Sequence, residues 1–174
     1  MVQALLEAGA GLTFSVSCTT RPPRPGEVEG VHYRFVSEEA FERMIEAGEF
    51  LEWAEIFGHR YGTPLAGVTG ARETGADVLL ELDVQGARSV RERIPDAVLV
   101  FLRPPSEDEL ARRLRARGTE EGPDLDRRLA QARREMAEAS WFDHVVLNDR
   151  IEDATREVLG IIDGARRSAA EGAP

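Results

Sequence analysis

Two short apolar runs constrain this chain most: Val78 to Leu82, which leads into acidic residues, and Val98 to Leu102. Each has strand length, and near-continuous apolar character suits strands buried on both faces of a parallel sheet. Between them, Ala87 to Arg93 reads as a helix. Strands alternating with helices make an α/β domain with a mostly parallel sheet.

The flanking segments fit that frame. Val2 to Ala8 reads as a helix tail stopped at Gly9, and Thr13 to Ser17 alternates like a strand. A Pro/Arg/Gly-rich loop from Arg21 to Gly30 precedes a short strand at His32 to Val36. Ser37 should cap a helix that carries Glu38 and Glu39 in its first turn, an apolar stripe of Phe41, Met44 and Ile45, and Gly48 as its stop. Phe50 to Phe57 and Arg60 to Thr63 should form a hairpin around Gly58, with a helix over Pro64 to Glu73 behind it. Further on, Ser106 and Glu109 make a capping-box pattern ahead of an Arg-rich helix to Arg117. A helix from Asp124 to Ala139, a strand from Val145 to Leu147 and a helix from Ile151 to about Arg167 follow, with a frayed tail from Ser168.

The composition excludes several classes. With 174 residues, 42% hydrophobic and 31% charged, the chain can bury the core of one domain. No apolar run nears the ~18 residues that span a bilayer. No basic segment precedes a long apolar stretch, so a cytoplasmic setting is expected, with no membrane partner. A net charge of −10 argues against a broad basic face for nucleic acid. The lone Cys18 permits no internal disulfide and no cysteine-based metal cluster. His32, His59 and His144 are scattered and read as structural. All 22 basic residues are arginine, so any chemistry that needs a lysine from these residues is excluded.

Three clusters carry possible chemistry. In SVSCTTRPPRPGE, from Ser15 to Glu27, prolines hold Arg21 and Arg24 three residues apart. Two fixed guanidinium forks suit bidentate bonding to a phosphate; a solvated loop with two surface arginines is the alternative. In LELDVQG, Glu81 and Asp83 are two apart and share a face if the strand continues. The carboxyl end of such a strand is where open α/β sheets build ligand sites, and a paired acid there invites a cation; otherwise the acids simply mark the exit to solvent. The third cluster is Arg112, Arg113, Arg115 and Arg117 on one helix with Arg127 and Arg128 on the next. Arg113 and Arg117 repel across one helical turn, which makes more sense with an anion between them; pairing with the abundant glutamates is the other reading.

The full string at Ser15 to Glu27 resembles the signature of guanylate kinases. HYRFVS from His32, GEFLEWAEIFGHRYGTP from Gly48, LELDVQGAR from Leu80, FLRPPS from Phe101, RRLRARGTE from Arg112 and VLNDR from Val146 resemble that family's segments in order. The resemblance implies a P-loop kinase-like parallel sheet flanked by helices, formed by residues 1–31 and 64–174. It also implies a small mixed antiparallel GMP-binding insert over 32–63 and a helical lid over about 112–139.

By position, Arg21, Arg24, Tyr33 and Tyr61 would hold the GMP phosphate, with Glu27 in the same substrate-binding loop, while Ser17, Glu52 and Thr63 would read the guanine. A carboxylate such as Glu52 can accept from both N1–H and the exocyclic amine of guanine, whereas adenine would leave it unpaired. Asp83 would lie near a Mg2+–phosphate centre and Glu81 near GMP and its arginines. Arg113, Arg117 and Arg128 would neutralise the transferring phosphoryl group, and Asn148 would lie near the ATP adenine. Mg2+ with ATP is the implied cofactor, GMP and ATP are the implied partners, and no resident protein-held metal is expected.

The family's G-x-x-x-x-G-K-S/T loop does not occur in these 174 residues. Met1 falls where the family's first helix is already under way. The expectation is therefore a chain lacking the first strand and P-loop, weakened in folding and without measurable kinase turnover even where GMP still binds weakly. Two functions remain: ATP:GMP phosphotransferase for the intact gene product, or a catalytically dead guanylate-kinase-like binding module. Retention of Ser17, Glu52, Asp83 and the lid arginines favours the first.

Overall fold

The computed structural model describes residues 1–9, 11–116 and 123–172. These fall into two compact bodies, one of residues 6–97 with Val2 and one of residues 98–174 with Met1 and Gln3–Leu5. The opening helix α1 is Val2–Ala8, with Leu5 buried. Among the described residues no helix is long and apolar enough to cross a membrane.

In the first body, β1 (Leu12–Phe14) pairs in parallel with β6 (Asp77–Leu79). The run expected as one strand from Thr13 to Ser17 instead changes sheets. Ser15 still donates to the Leu79 carbonyl at 3.1 Å, and β2 (Cys18–Thr19) then joins a second, mixed sheet. That sheet has the order β3–β2–β5–β4, where β3 is Arg34–Phe35, β4 is Phe50–Ile56 and β5 is His59–Pro64. β2 runs parallel to β3, and the other two pairings are antiparallel.

Local chemistry explains the elements. The Ser37 side chain accepts from the Ala40 N–H and caps α2 (Glu38–Glu46), whose Phe41 is wholly buried. Phe41 stacks on Phe50 at 4.5 Å and packs with Cys18 between α2 and the mixed sheet. Ile56 pairs with His59 across a two-residue turn, Phe57–Gly58, in which both residues have positive φ, 52° and 77°. That geometry follows the right-handed strand twist and explains a glycine at its second position. Helix α3 (Leu65–Glu73) comes directly after Pro64, and its Val68 packs with Leu51 and with Val90 of α4 (Val84–Arg93).

Both apolar runs are shorter as strands than expected, and neither is buried on both faces. β6 stops at Leu79 because Asp83 caps α4, so the chain must leave the ladder to enter the helix. Leu80 and Leu82 pack against the Leu51–Val68–Val90 cluster from outside the strand. In the second body the strand is β7 (Val100–Arg103), paired in parallel with β8 (His144–Leu147). Among the described residues each has one partner strand, and Leu102, Val145 and Leu147 are exposed, as is Val98 ahead of β7, while Val146 is fully buried.

The rest of the second body is helical: α5 (Glu107–Ala116), α6 (Pro123–Ala137), a 3-10 turn at Ala139–Trp141, and α7 (Ile151–Gly172). The tail expected to fray from Ser168 continues as helix to Gly172. The capping box at α5 is half made. Ser106 accepts from the Glu109 N–H at 3.1 Å, but the Glu109 carboxylate binds Arg112 and Arg113 instead.

Candidate functional site

A bulge in β4 buries Glu52. The register passes from Phe50 opposite Pro64 to Glu52 opposite Thr63, so Leu51 is the extra residue. Phe50, Leu51 and Glu52 are consequently all buried in succession, Phe50 against the Phe41 cluster and Leu51 against Val68 and Val90. Glu52 is only 6% exposed, and its Oε1 accepts from the Thr63 N–H at 3.0 Å and the Thr63 hydroxyl at 2.5 Å. Burial raises the Glu52 pKa above the ordinary carboxylate value, against the lowering effect of the Thr63 bonds; Asp83 adds to the rise and Arg93 opposes it. Ser17 is buried one step before Cys18, whose strand partner Gly62 adjoins Thr63.

A second cluster centres on Arg21, which is buried just after β2. Its Nε donates to the Tyr61 hydroxyl at 3.2 Å, and its two terminal nitrogens grip Glu27 at 3.0 and 2.8 Å. Glu27 also accepts from the Arg24 N–H at 2.6 Å, which ties the whole Pro/Arg loop to one carboxylate. The Arg21 guanidinium lies 5.5 Å from the Tyr33 ring centroid, and Tyr33 meets Tyr61 edge-on at 5.9 Å. Burial works against the charge on Arg21, but the Glu27 and Tyr61 bonds outweigh it and its pKa rises. The same bond to Arg21 lowers the Glu27 pKa. Burial, with Glu81 adding negative potential, pushes the Tyr33 phenol up to about 12, so it stays a neutral hydroxyl donor.

Glu81 and Asp83 do not share a strand face, because the strand ends before them. Asp83 is the N-cap of α4 and accepts from the Gly86 N–H at 2.8 Å. Its second oxygen takes a 3.3 Å bond from the Gln85 amide, and Glu81 is exposed. Among the described residues no group of three or more His, Cys, Asp or Glu could hold a metal ion. This donor set fits Mg2+ in the manner usual for nucleotide sites, where phosphates and waters are the main ligands and one or two carboxylates assist.

In the second body Arg113 and Asn148 meet directly. The Arg113 guanidinium donates to the Asn148 carbonyl at 2.7 Å, the Asp149 carbonyl at 2.9 Å and Glu109 at 2.6 Å. Arg112 also binds Glu109, and bonds from Arg112 and Arg113 hold that carboxyl at about 2. Glu109 therefore offsets the like charges of Arg112 and Arg113 on α5. The Asn148 side-chain oxygen is buried with no hydrogen-bond partner. Arg128 is half-buried on α6. Arg117 lies outside the described residues.

Three participants escaped the sequence reading in part or whole. The tie from Glu27 to Arg21 spans six residues of turn and left no periodic signal. Arg93 donates to the Phe50 carbonyl at 2.9 Å, anchoring α4 to β4, and nothing in the sequence marked it. Gly86 lies three residues after Asp83, the spacing at which an N-cap side chain meets a backbone N–H, which was a usable signal.

The family model described as Guanylate kinase matches residues 1–165. The guanylate kinase of Symbiobacterium thermophilum is 52% identical over 160 residues, which cover 92% of this chain and 76% of the relative. That of Streptomyces coelicolor is 56% identical over 148 residues, covering 85% and 75%. The crystal structure of guanylate kinase from Anaplasma phagocytophilum aligns with a TM-score of 0.80 at 35% identity, over 94% of this chain and 79% of that one.

Proposed function

The chain belongs to the guanylate kinase family, and from that premise we propose that Glu52, Thr63 and Ser17 read guanine while Arg21, Arg24, Tyr33 and Tyr61 hold the GMP phosphate. By family it is an ATP:GMP phosphotransferase, giving ADP and GDP. The observation that carries the residue assignment is the buried Glu52 carboxylate, fixed on one oxygen by both Thr63 donors. An ionised carboxylate presents acceptors only, which suits the N1–H and exocyclic amine of guanine and mismatches the bare N1 of adenine.

Glu27 serves this site as a positioning residue. A carboxylate repels a phosphate, but its bidentate hold leaves Arg21 charged and oriented, with the Tyr61 hydroxyl beside it. Arg113, Arg117 and Arg128 are proposed to neutralise charge on the transferring phosphoryl group, and Asn148 to face the adenine. Asp83 would lie beside Mg2+ bound with ATP, which would offset phosphate charge, and Glu81 would lie near GMP and its arginines. The cytoplasm, where both nucleotides are held, is the proposed setting. Replacing Glu52 by Gln tests the assignment: GMP affinity should fall far more than ATP affinity, and equal losses would sink it.

A further inference from the structure

Helix α4 approaches the Glu52 carboxylate closely at Gly86. A Cβ built on Gly86 would stand 2.7 Å from Glu52 Oε2 and 3.3 Å from Asp83 Oδ1. The first distance is inside any tolerated carbon–oxygen contact. The far end of an exposed glutamate could swing aside, but this one cannot do so freely. It is buried, and its other oxygen is pinned by two bonds from Thr63. Gly86 is itself fixed from three directions: its N–H is bound to Asp83, its helix packs through Val90 onto Leu51, and Arg93 ties the far end of that helix to the Phe50 carbonyl.

We propose that Gly86 is a specificity-determining position whose bare α-carbon holds open the place of Glu52 Oε2, so that this oxygen can accept from the exocyclic amine of guanine. The inference rests on the reading of Glu52 given above and adds a division of labour to it. Oε1 is already shared with Thr63, whereas Oε2 is the oxygen that a side chain at position 86 would displace. Discrimination between guanine and hypoxanthine, which differ only by that amine, should therefore pass through Gly86.

The test titrates wild type, Gly86→Ala, Glu52→Gln and the double variant Gly86→Ala/Glu52→Gln with GMP and with IMP by calorimetry. Gly86→Ala should lose roughly tenfold or more in GMP affinity, the size of one unmade hydrogen bond in a buried site, while IMP affinity moves less than about threefold. In the double variant Gly86→Ala should add little to the loss from Glu52→Gln, because both act on one carboxylate. A GMP:IMP ratio left intact by Gly86→Ala, or fully additive losses, overturns the proposal. Should Gly86→Ala not fold, Glu52→Ala/Gly86→Ala, which lacks the clashing carboxylate, must melt as Glu52→Ala does; if it does not, the proposal also fails. If Glu52→Gln itself leaves the GMP:IMP ratio unchanged, the underlying reading of Glu52 is at fault, and Gly86 loses its role with it.

Discussion

Glu27 grips Arg21 through both terminal nitrogens at 2.8 and 3.0 Å while its own carboxylate takes the Arg24 N–H. Arg21, proposed above to hold the GMP phosphate, is thus oriented by a neighbour that is itself an anion. Preorganisation of this kind removes the side-chain ordering cost from the binding step.

Replacing Glu27 by Gln should loosen Arg21 and lower GMP affinity by about 1.5–3 kcal/mol, the range of a charge-assisted hydrogen bond. Guanosine, which lacks the phosphate, should bind this variant and the wild type equally. Calorimetry with both ligands checks this, and a matching loss of guanosine would place Glu27 elsewhere in the account. The lowered Glu27 pKa gives the same pair an acid limit: its stabilisation is present above the ordinary value of 4.5 and is lost as pH falls through the folded value.

Thr63→Val keeps the backbone bond to Glu52 and removes the hydroxyl bond. Since the Thr63 bonds lower the Glu52 pKa, their partial loss should raise it further. Destabilisation of about 1 kcal/mol is expected, read by urea unfolding. Carbon-13 NMR of the Glu52 carboxyl should show its titration midpoint moving upward.

The pH dependence has a definite sign. Glu52 has a raised folded pKa, so the native state holds its proton where the unfolded chain has released it. Its contribution to stability is most favourable below 4.5 and declines as pH rises through the folded value. GMP binding runs the other way, because only the ionised carboxylate accepts from both guanine donors. Affinity should therefore weaken as pH falls toward 4.5, beyond any change seen in Glu52→Gln, whose amide does not titrate. Parallel pH profiles for the two proteins would contradict this.

Gly62→Ala tests the packing beneath the site. Its Cβ would stand 2.8 Å from the Phe50 ring and 3.1 Å from Phe41, both buried. Overpacking should cost about 1–3 kcal/mol, measured by thermal unfolding. An unchanged midpoint would show that the Phe41–Phe50 stack has room to shift.

Local signals in the sequence were reliable where chemistry acts over three or four residues. Ser37 caps α2 as its hydroxyl required, and the Gly58 turn joins the expected hairpin. Glu109 lies four residues before Arg113, so their pairing was legible as well. Longer-range geometry was hidden. Alternation cannot announce a bulge, and three consecutive buried residues at Phe50, Leu51 and Glu52 look the same in sequence as a continuous apolar strand meeting a surface acid. β6 is shorter than its apolar run implies for a related reason: Leu80 and Leu82 are apolar because they cover the Leu51 cluster, which requires no strand.

The most direct measurement titrates this protein with GMP and with AMP under one set of conditions and compares the dissociation constants. A buried Glu52 carboxylate held by Thr63 predicts that GMP binds at least about a hundredfold more tightly, since adenine leaves the acceptor unpaired. Equal affinities for the two nucleotides would contradict the account.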